Sequence, residues 1–321
     1  MATLCRDGID AHPVPLSGPA GPTLERLAAA GVRNIFNLVE GLEGDASREH
    51  EFASAVHDRG MACTGSPARA LYLASRKHEA RAALAAAGLP VAAGFSVTEM
   101  GELPQLAAGA FPVFVKPAIS DGSIGIDQGS VVTDPQSLAR RVAWLLEHLG
   151  GPCLVEAFLP GVEVNVAILP PGLSARAAAT VIDFSALPGH LYPVVTYDAK
   201  WRPESPEYVS RSVPAARCLP ATQLREALQI GLSAFATLGG RGYGRVDLRA
   251  DSAGRMHVID INPNPDLHPE AGFAAGAASV GVSWAQLIRT IAASAGVWRN
   301  REHPSHSRRR STAPQRATHA D

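Results

Sequence analysis

The chain has 321 residues, 46% hydrophobic and 18% charged, with 29 basic against 30 acidic side chains; this is length for more than one domain and apolar content for real cores, which excludes a mainly disordered chain. The last 23 residues carry six arginines against Glu302 and Asp321, leaving 23 basic and 28 acidic groups in the rest, so no basic face supports a nucleic-acid partner. No apolar run approaches the roughly 20 residues of a membrane-spanning helix, and the opening MATLCRDGID lacks the apolar region of a secretion signal; the expectation is a cytoplasmic protein with neither nucleic-acid nor membrane partner.

In chain order, residues 1–22 are rich in glycine and proline and read as an irregular lead-in. Thr23 is placed to cap a short helix ended by Gly31, residues 32–40 have the character of a buried strand, and a helix over 47–59 leads to a short strand at 61–64. This β-α-β fragment is short for a complete domain. An alanine-rich helical stretch covers 67–88, followed by strands at 95–97 and 111–118, a polar glycine loop at 119–125 and an extended segment up to Thr133. Next come a helix over 135–148 capped by Asp134 and a strand at 153–159. The second half reads as strands near 162–169 and 177–184, a polar loop at 190–208, a strand at 208–213, a helix at 221–238, two strands around an Asp-Ser-Ala-Gly turn, and a last helix near 283–295. Runs of strands with helices to one side point to α+β modules, and residues 299–321 have the composition of a disordered basic tail.

Cys5, Cys63, Cys153 and Cys218 lie far apart, without the paired spacings of a zinc site or disulfide framework, and read as reduced, mostly buried small hydrophobes. His303 and His306 have ligand-like spacing but no frame to hold a metal. Of the 29 basic residues only Lys77, Lys116 and Lys200 are lysines. Codon usage alone would scatter them over indifferent surface positions, whereas a site built for a compact ammonium near a phosphate oxygen does not readily take arginine's broad fork.

The segment GYGRVDLRADSAGRMHVIDINPNP holds a hairpin signal. Arg245, Asp247 and Arg249 share one face of its first strand, with Val246 and Leu248 on the other. On the second, Val258, Asp260 and Asn262 share a face while Ile259 and Ile261 point away. A two-residue turn at Ser252-Ala253 sets Arg245 opposite Asp260, with Asp247 on the diagonal. Asp247, Asp260 and Asn262 are hard oxygen ligands, which selects magnesium or manganese over zinc. An ordinary solvent-facing strand pair with an Arg245–Asp260 ion pair is the alternative, and the hairpin alone does not separate the two.

Five motifs then stand in order: VKPA with its glycine loop (Lys116, Gly122, Ser123), LVEAFLPGVE (Glu156, Glu163), TYDAKW (Lys200), GRVD and IDINPNP. In this order they resemble the ATP-grasp ligases, specifically those similar to D-alanine:D-alanine ligase, over roughly residues 32–297, and all three lysines fall in stretches that match. The resemblance implies an α+β/α/β architecture in which two α+β subdomains (76–160 and 161–298) grip ATP behind a shortened N-terminal β-α-β domain (1–75).

It further implies that Lys77 and Lys116 contact ATP phosphates under the loop of Gly122 and Ser123. Glu156 would accept from the adenine amino group, Phe158 and Leu159 would line the base pocket, and Glu163 would take the ribose hydroxyls. Asp247, Asp260 and Asn262 would hold two magnesium ions, Arg245 would face the tetrahedral centre, and Lys200 would ride a mobile loop over the γ-phosphate. Small-molecule carboxylate and amine substrates, amino acids among them, and a homodimer follow by the same route. Departures are equally specific: Gly122 and Trp201 stand where a serine and a tyrosine are expected, Asp260 where relatives commonly have glutamate, and NPNPDLHPEAGF where relatives have a Pro-Gly turn. Residues 1–22 also lack the relatives' first strand and its glutamate-bearing turn. The expected activity is an ATP- and magnesium-dependent ligase joining a carboxylate to an amine through an acyl phosphate; a ligase for another amino-acid or peptide metabolite and an inactive ATP-binding module are the alternatives.

Overall fold

The computed structural model describes residues 2–6 and 8–295; the expected tail at 299–321 lies outside them. The lead-in is not wholly irregular, because it holds helix α1 (Ala2–Arg6). Helix α2 (Ala20–Ala29) starts three residues before Thr23, with Pro19 at its N-cap and no side-chain bond there. Strand β1 (Asn34–Ile35) is shorter than its apolar run, and it pairs in parallel with β2 (Ala62–Cys63), which follows helix α3 (Glu49–Asp58). Beyond Ile35 side chains take over the backbone's partners: Asn37 N–H donates to Thr64 Oγ1, and Val39 N–H to Asn37 Oδ1. Leu24, Phe52, Val56 and Met61 close a small core over this unit.

The alanine-rich stretch is two helices, α4 (Ala68–Ser75) and α5 (Lys77–Ala86). Arg76 breaks them at φ −110°, ψ 82° and bridges to Ile119, while the Lys77 N–H donates to the Ala118 carbonyl at 2.8 Å. A continuous helix would spend that donor internally. The break puts Lys77 at a helix start, beside the polar loop.

Strands β3 (Gly94–Val97), β4 (Val113–Pro117), β5 (Val131–Val132) and β6 (Cys153–Ala157) form an antiparallel sheet in the order β3-β6-β4-β5. Helix α6 (Pro135–His148) covers it, capped as expected by Asp134 on Ser137 N–H, and Val97, Val115, Leu138, Val142, Leu145 and Val155 fill the space between.

A second antiparallel sheet has the order β11-β10-β7-β8-β9, from β7 (Glu163–Ile168), β8 (Ala177–Asp183), β9 (Arg211–Pro214), β10 (Gly244–Ala250) and β11 (Met256–Asn262). The polar loop before β9 contains the short helix α7 (Tyr197–Trp201). Helix α8 (Ala221–Thr237) packs on one face over Val164, Val166, Val246 and Leu248. Helices α9 (Gly272–Ser279) and α10 (Trp284–Ser294) meet the other at Ala167 and Ala178. Helix α9 has no polar stripe to announce it; at Gly276 a Cβ would stand 2.8 Å from that of Ala167, so glycine allows the helix to lie close on the sheet.

The hairpin departs from the expected register. Its connection runs from Asp251 to Arg255, with Asp251 N–H bonded to the Arg255 carbonyl, and is longer than a two-residue turn. Asp247 stands opposite Asp260 and Arg245 opposite Asn262, and a bulge follows, so that Leu248 faces Val258 and Ile259 is the extra residue. The bulge resets the alternation: Val258 and Ile261 both enter the core, whereas Ile259 and Asp260 face the cleft. The expectation that Ile259 points away with Ile261 is thereby corrected. The cysteines are unpaired, but Cys5 and Cys218 are exposed rather than buried. No helix among the described residues is long and apolar enough to cross a membrane.

Candidate active site

The two sheets face each other across a cleft that leaves about 250 Å³ to water-sized occupants. Its walls bring together Lys77, Lys116 and Lys200, Gly122 and Ser123, Glu156, Phe158 and Leu159, Glu163, Arg245, Asp247 and Asp260. Of the candidates only Asn262 is set apart from the cleft wall: it sits across from Arg245, and its Oδ1 accepts from Asn264 N–H at 2.9 Å.

At one end the central sheet aims Lys116 and Glu156 from neighbouring strands β4 and β6, with Nζ 2.9 Å from Oε2. Lys116 also donates across the cleft to the Ile259 carbonyl at 3.0 Å, the carbonyl that the bulge frees. Arg81 approaches the other Glu156 oxygen at 3.6 Å. The linker after β6 carries Phe158, edge-on to Tyr192, and buried Leu159. Glu163, at the start of β7, pairs with Arg249 at 3.0 Å. Burial pushes the Glu163 carboxyl up, and Arg249 opposes that shift.

At the other end Lys77 lies 3.1 Å from Asp260 and donates to the Ser120 carbonyl at 2.8 Å. Burial works against both charges, but each holds its partner ionised: Asp260 and Asp121 keep Lys77 above the ordinary lysine range, while Lys77 and Lys116 keep Asp260 below the ordinary carboxylate range. Arg245 does not pair with Asp260. It grips Asp247 on its own strand bidentately, at 2.7 and 2.9 Å, and Asn165 donates to the same carboxylate at 2.8 Å.

The glycine loop and the loop carrying Lys200 are latched over the cleft. Trp201 Nε1–H donates to the Gly122 carbonyl at 2.8 Å, Ser123 Oγ–H to that of Val195 at 3.0 Å, and Tyr197 N–H to that of Ile126 at 2.9 Å. Gly122 and Ser123 both have left-handed backbone, at φ 63° and 61°, and the Gly122 N–H is held by the Asp121 carboxylate at 2.7 Å. Lys200 sits on helix α7; burial, then Arg245, depresses its pKa.

Three contributors escape a reading of single motifs. Asn165 follows Glu163 by two positions in an otherwise apolar run, a spacing that shares its face. Arg249 continues the polar face of β10, and Asp121 precedes the loop glycine. Outside the cleft, Asn264 joins the strand exit to the N-terminal unit, donating to Glu49 at 2.7 Å and to the Val39 carbonyl at 3.0 Å. Burial raises Glu49 to about 7.

Among the described residues no group of three or more His, Cys, Asp and Glu side chains is placed to hold a metal ion. The carboxylates that do meet are Asp247 and Asp260, in register, with the Asn262 amide two pairs beyond. They are all hard oxygens, and among the described residues Asp260 spends Oδ1 on Lys77 while Oδ2 meets no donor. This donor set fits magnesium or manganese.

The sequence profile of the family described as D-ala D-ala ligase C-terminus matches residues 84–293. The chain is 30% identical over 292 residues to a D-alanine--D-alanine ligase of Gluconobacter oxydans, covering 89% of this chain and 88% of the relative. It is 26% identical to the D-alanine--D-alanine ligase of Mannheimia succiniciproducens, over 91% and 89% of the two chains. The fold is similar to the crystal structure of D-alanine--D-alanine ligase from Bacillus anthracis complexed with ATP, with a TM-score of 0.73 at 17% identity, over 94% of this chain and 91% of that one. The chain therefore belongs to the D-ala–D-ala ligase family, a family of carboxylate–amine ligases within the ATP-grasp superfamily.

Proposed function

We propose that the protein is an ATP- and magnesium-dependent ligase that joins a small carboxylate to an amine through an acyl phosphate, with amino acids or short peptides as the substrate class. The observation that carries this reading is the meeting of all three lysines with Arg245 and the Asp247–Asp260 pair in one cleft between two sheets.

In this reading the triphosphate lies along Lys116, Lys77 and Lys200, with the base at Glu156, Phe158 and Leu159 and the sugar at Glu163. A substrate carboxylate oxygen bonds to the γ-phosphorus as the bond to ADP breaks; positioning and charge neutralisation supply most of the rate. The amine nitrogen then attacks the acyl carbon, phosphate leaves and the nitrogen loses a proton. Arg245, held rigid by Asp247, presents its guanidinium to the oxyanion of that second step. Asp247, Asp260 and Asn262 would hold the divalent ion, which would neutralise charge on the nucleotide phosphates. The depressed pKa of Lys200 leaves an ammonium that gives up its proton more readily than an ordinary lysine.

The loop of Asn264 and the Trp201–Gly122 contact differ from the D-alanine ligase pattern, which favours an acceptor other than D-alanine. ADP release measured with magnesium and a panel of D- and L-amino acids, singly and in pairs, tests the reading. Release that needs both magnesium and an amino acid supports it, and no release with any pair, where ATP still binds, leaves the inactive nucleotide-binding module.

A further inference from the structure

Arg249 is 5% exposed, and the activity derived above gives it no role. Each nitrogen of its guanidinium has a separate partner. Nε donates to the Leu159 carbonyl at 2.6 Å, Nη1 to Glu163 Oε2 at 3.0 Å and Nη2 to the Pro193 carbonyl at 2.6 Å. These acceptors come from three parts of the chain: the linker between the two sheets, the first residue of β7, and the loop that leads to Lys200. Its Cζ lies over the Phe158 ring, 5.5 Å from the centroid. A buried arginine gains nothing over a packed apolar side chain from charge alone, since the cost of removing it from water offsets the attraction of its partner. Its planar, preorganised fork, in contrast, fixes the groups it bonds.

Glu163 is the group most affected. It is 8% exposed, it faces the cleft, and Arg249 occupies one of its two oxygens. The carboxylate cannot rotate without breaking that bond, so Oε1 is left as an acceptor of fixed direction. We propose that Arg249 is the positioning residue for recognition of the nucleotide's sugar: it orients Glu163 so that the free oxygen accepts from the ribose hydroxyls. The assignment rests on the nucleotide reading given above and adds a discriminating element to it.

The test is calorimetric binding of ATP and of 2′,3′-dideoxy-ATP, with magnesium and without amino acid, to the full-length wild type and to Arg249→Met and Arg249→Lys. Arg249→Lys keeps a cation beside Glu163 and guards against misfolding from an unpaired buried carboxylate; melting temperatures show which variants are folded. The wild type is expected to prefer ATP by at least about tenfold. In a folded variant the preference should shrink to within about threefold, with dideoxy-ATP affinity nearly unchanged, because only the hydroxyl contact is lost. Glu163→Gln should give the same collapse. Equal weakening of both nucleotides would show that Arg249 only supports the fold, and a preserved preference would show that it does not orient the sugar's acceptor; either overturns the proposal. A wild type that binds neither nucleotide refutes the proposed function itself, which the same titration shows separately.

Discussion

Trp201 and Gly122, the two positions where this chain departs from the tyrosine and serine expected of its relatives, touch each other. The indole N–H reaches the glycine carbonyl at 2.8 Å, and a Cβ on Gly122 would lie 3.7 Å from the ring. One departure thus accommodates the other, with a backbone acceptor for an indole donor.

Trp201→Phe keeps an aromatic ring and removes the donor. A net hydrogen bond is worth about 1 kcal/mol, or roughly a fivefold change, so kcat/KM for ATP should fall severalfold. Trp201 is 59% exposed, so the melting temperature should hold within about one degree. Limited proteolysis in the loop at 192–208 should quicken at the same time; unchanged kinetics and cleavage would show that the latch is idle.

Asp260→Asn should cut turnover by at least about a hundredfold, because it removes a charged oxygen donor and unpairs Lys77. ATP affinity measured in chelator should change little. Turnover within a few-fold of wild type would refute the metal assignment.

Lys116→Arg preserves charge but sets a fork where Glu156 and the Ile259 carbonyl clasp a single nitrogen. The expected result is a rise in KM for ATP or a fall in kcat of at least about tenfold, roughly 1.4 kcal/mol. Equal kinetics would mean that the scarcity of lysine in this chain says nothing about the position.

Glu49 gives a pH dependence of stability. Its carboxyl is raised by burial to about 7, above its value in the unfolded chain, so the folded state keeps a proton that the unfolded state releases. Stability therefore falls as pH rises between about 4.5 and 7, by at most about 3 kcal/mol. Glu49→Gln should raise the melting temperature by several degrees at pH 8 and leave it nearly unchanged at pH 4, as read by thermal scans at both. An equal shift at both values would place the effect in packing instead of charge.

Sequence patterning revealed most strands of the two large sheets because apolar alternation records which face is buried: Val246 and Leu248 against Arg245 and Asp247 is one such strand. It failed where a single residue changes the count. The longer turn and the extra residue at Ile259 each displace the pairing by one residue and neither is visible to a period of two, so Asp260 stands opposite Asp247 and not Arg245, two positions from the expected register but on the expected side of the sheet. The break at Arg76 was hidden in the same way, since alanine on both sides favours helix and only the tertiary bridge to Ile119 interrupts it. Arg249 and Asn165 lay on recognisable polar faces, but their partners, the Pro193 carbonyl and Asp247, are distant in the chain. Helix α9 gave no signal, being made of small residues that pack by close approach.

The bulge at Ile259 also bears on the valence of the lysines. An ammonium has three donors and no acceptor. Lys116 gives one to Glu156 and one to the carbonyl that the bulge releases; Lys77 gives one to Asp260 and one to Ser120. Among the described residues each therefore keeps a single N–H unspent, its direction set by the two that are engaged. An arriving anion can take that last donor from each without stripping either lysine of a partner, so the two charges are delivered already oriented and already partly desolvated.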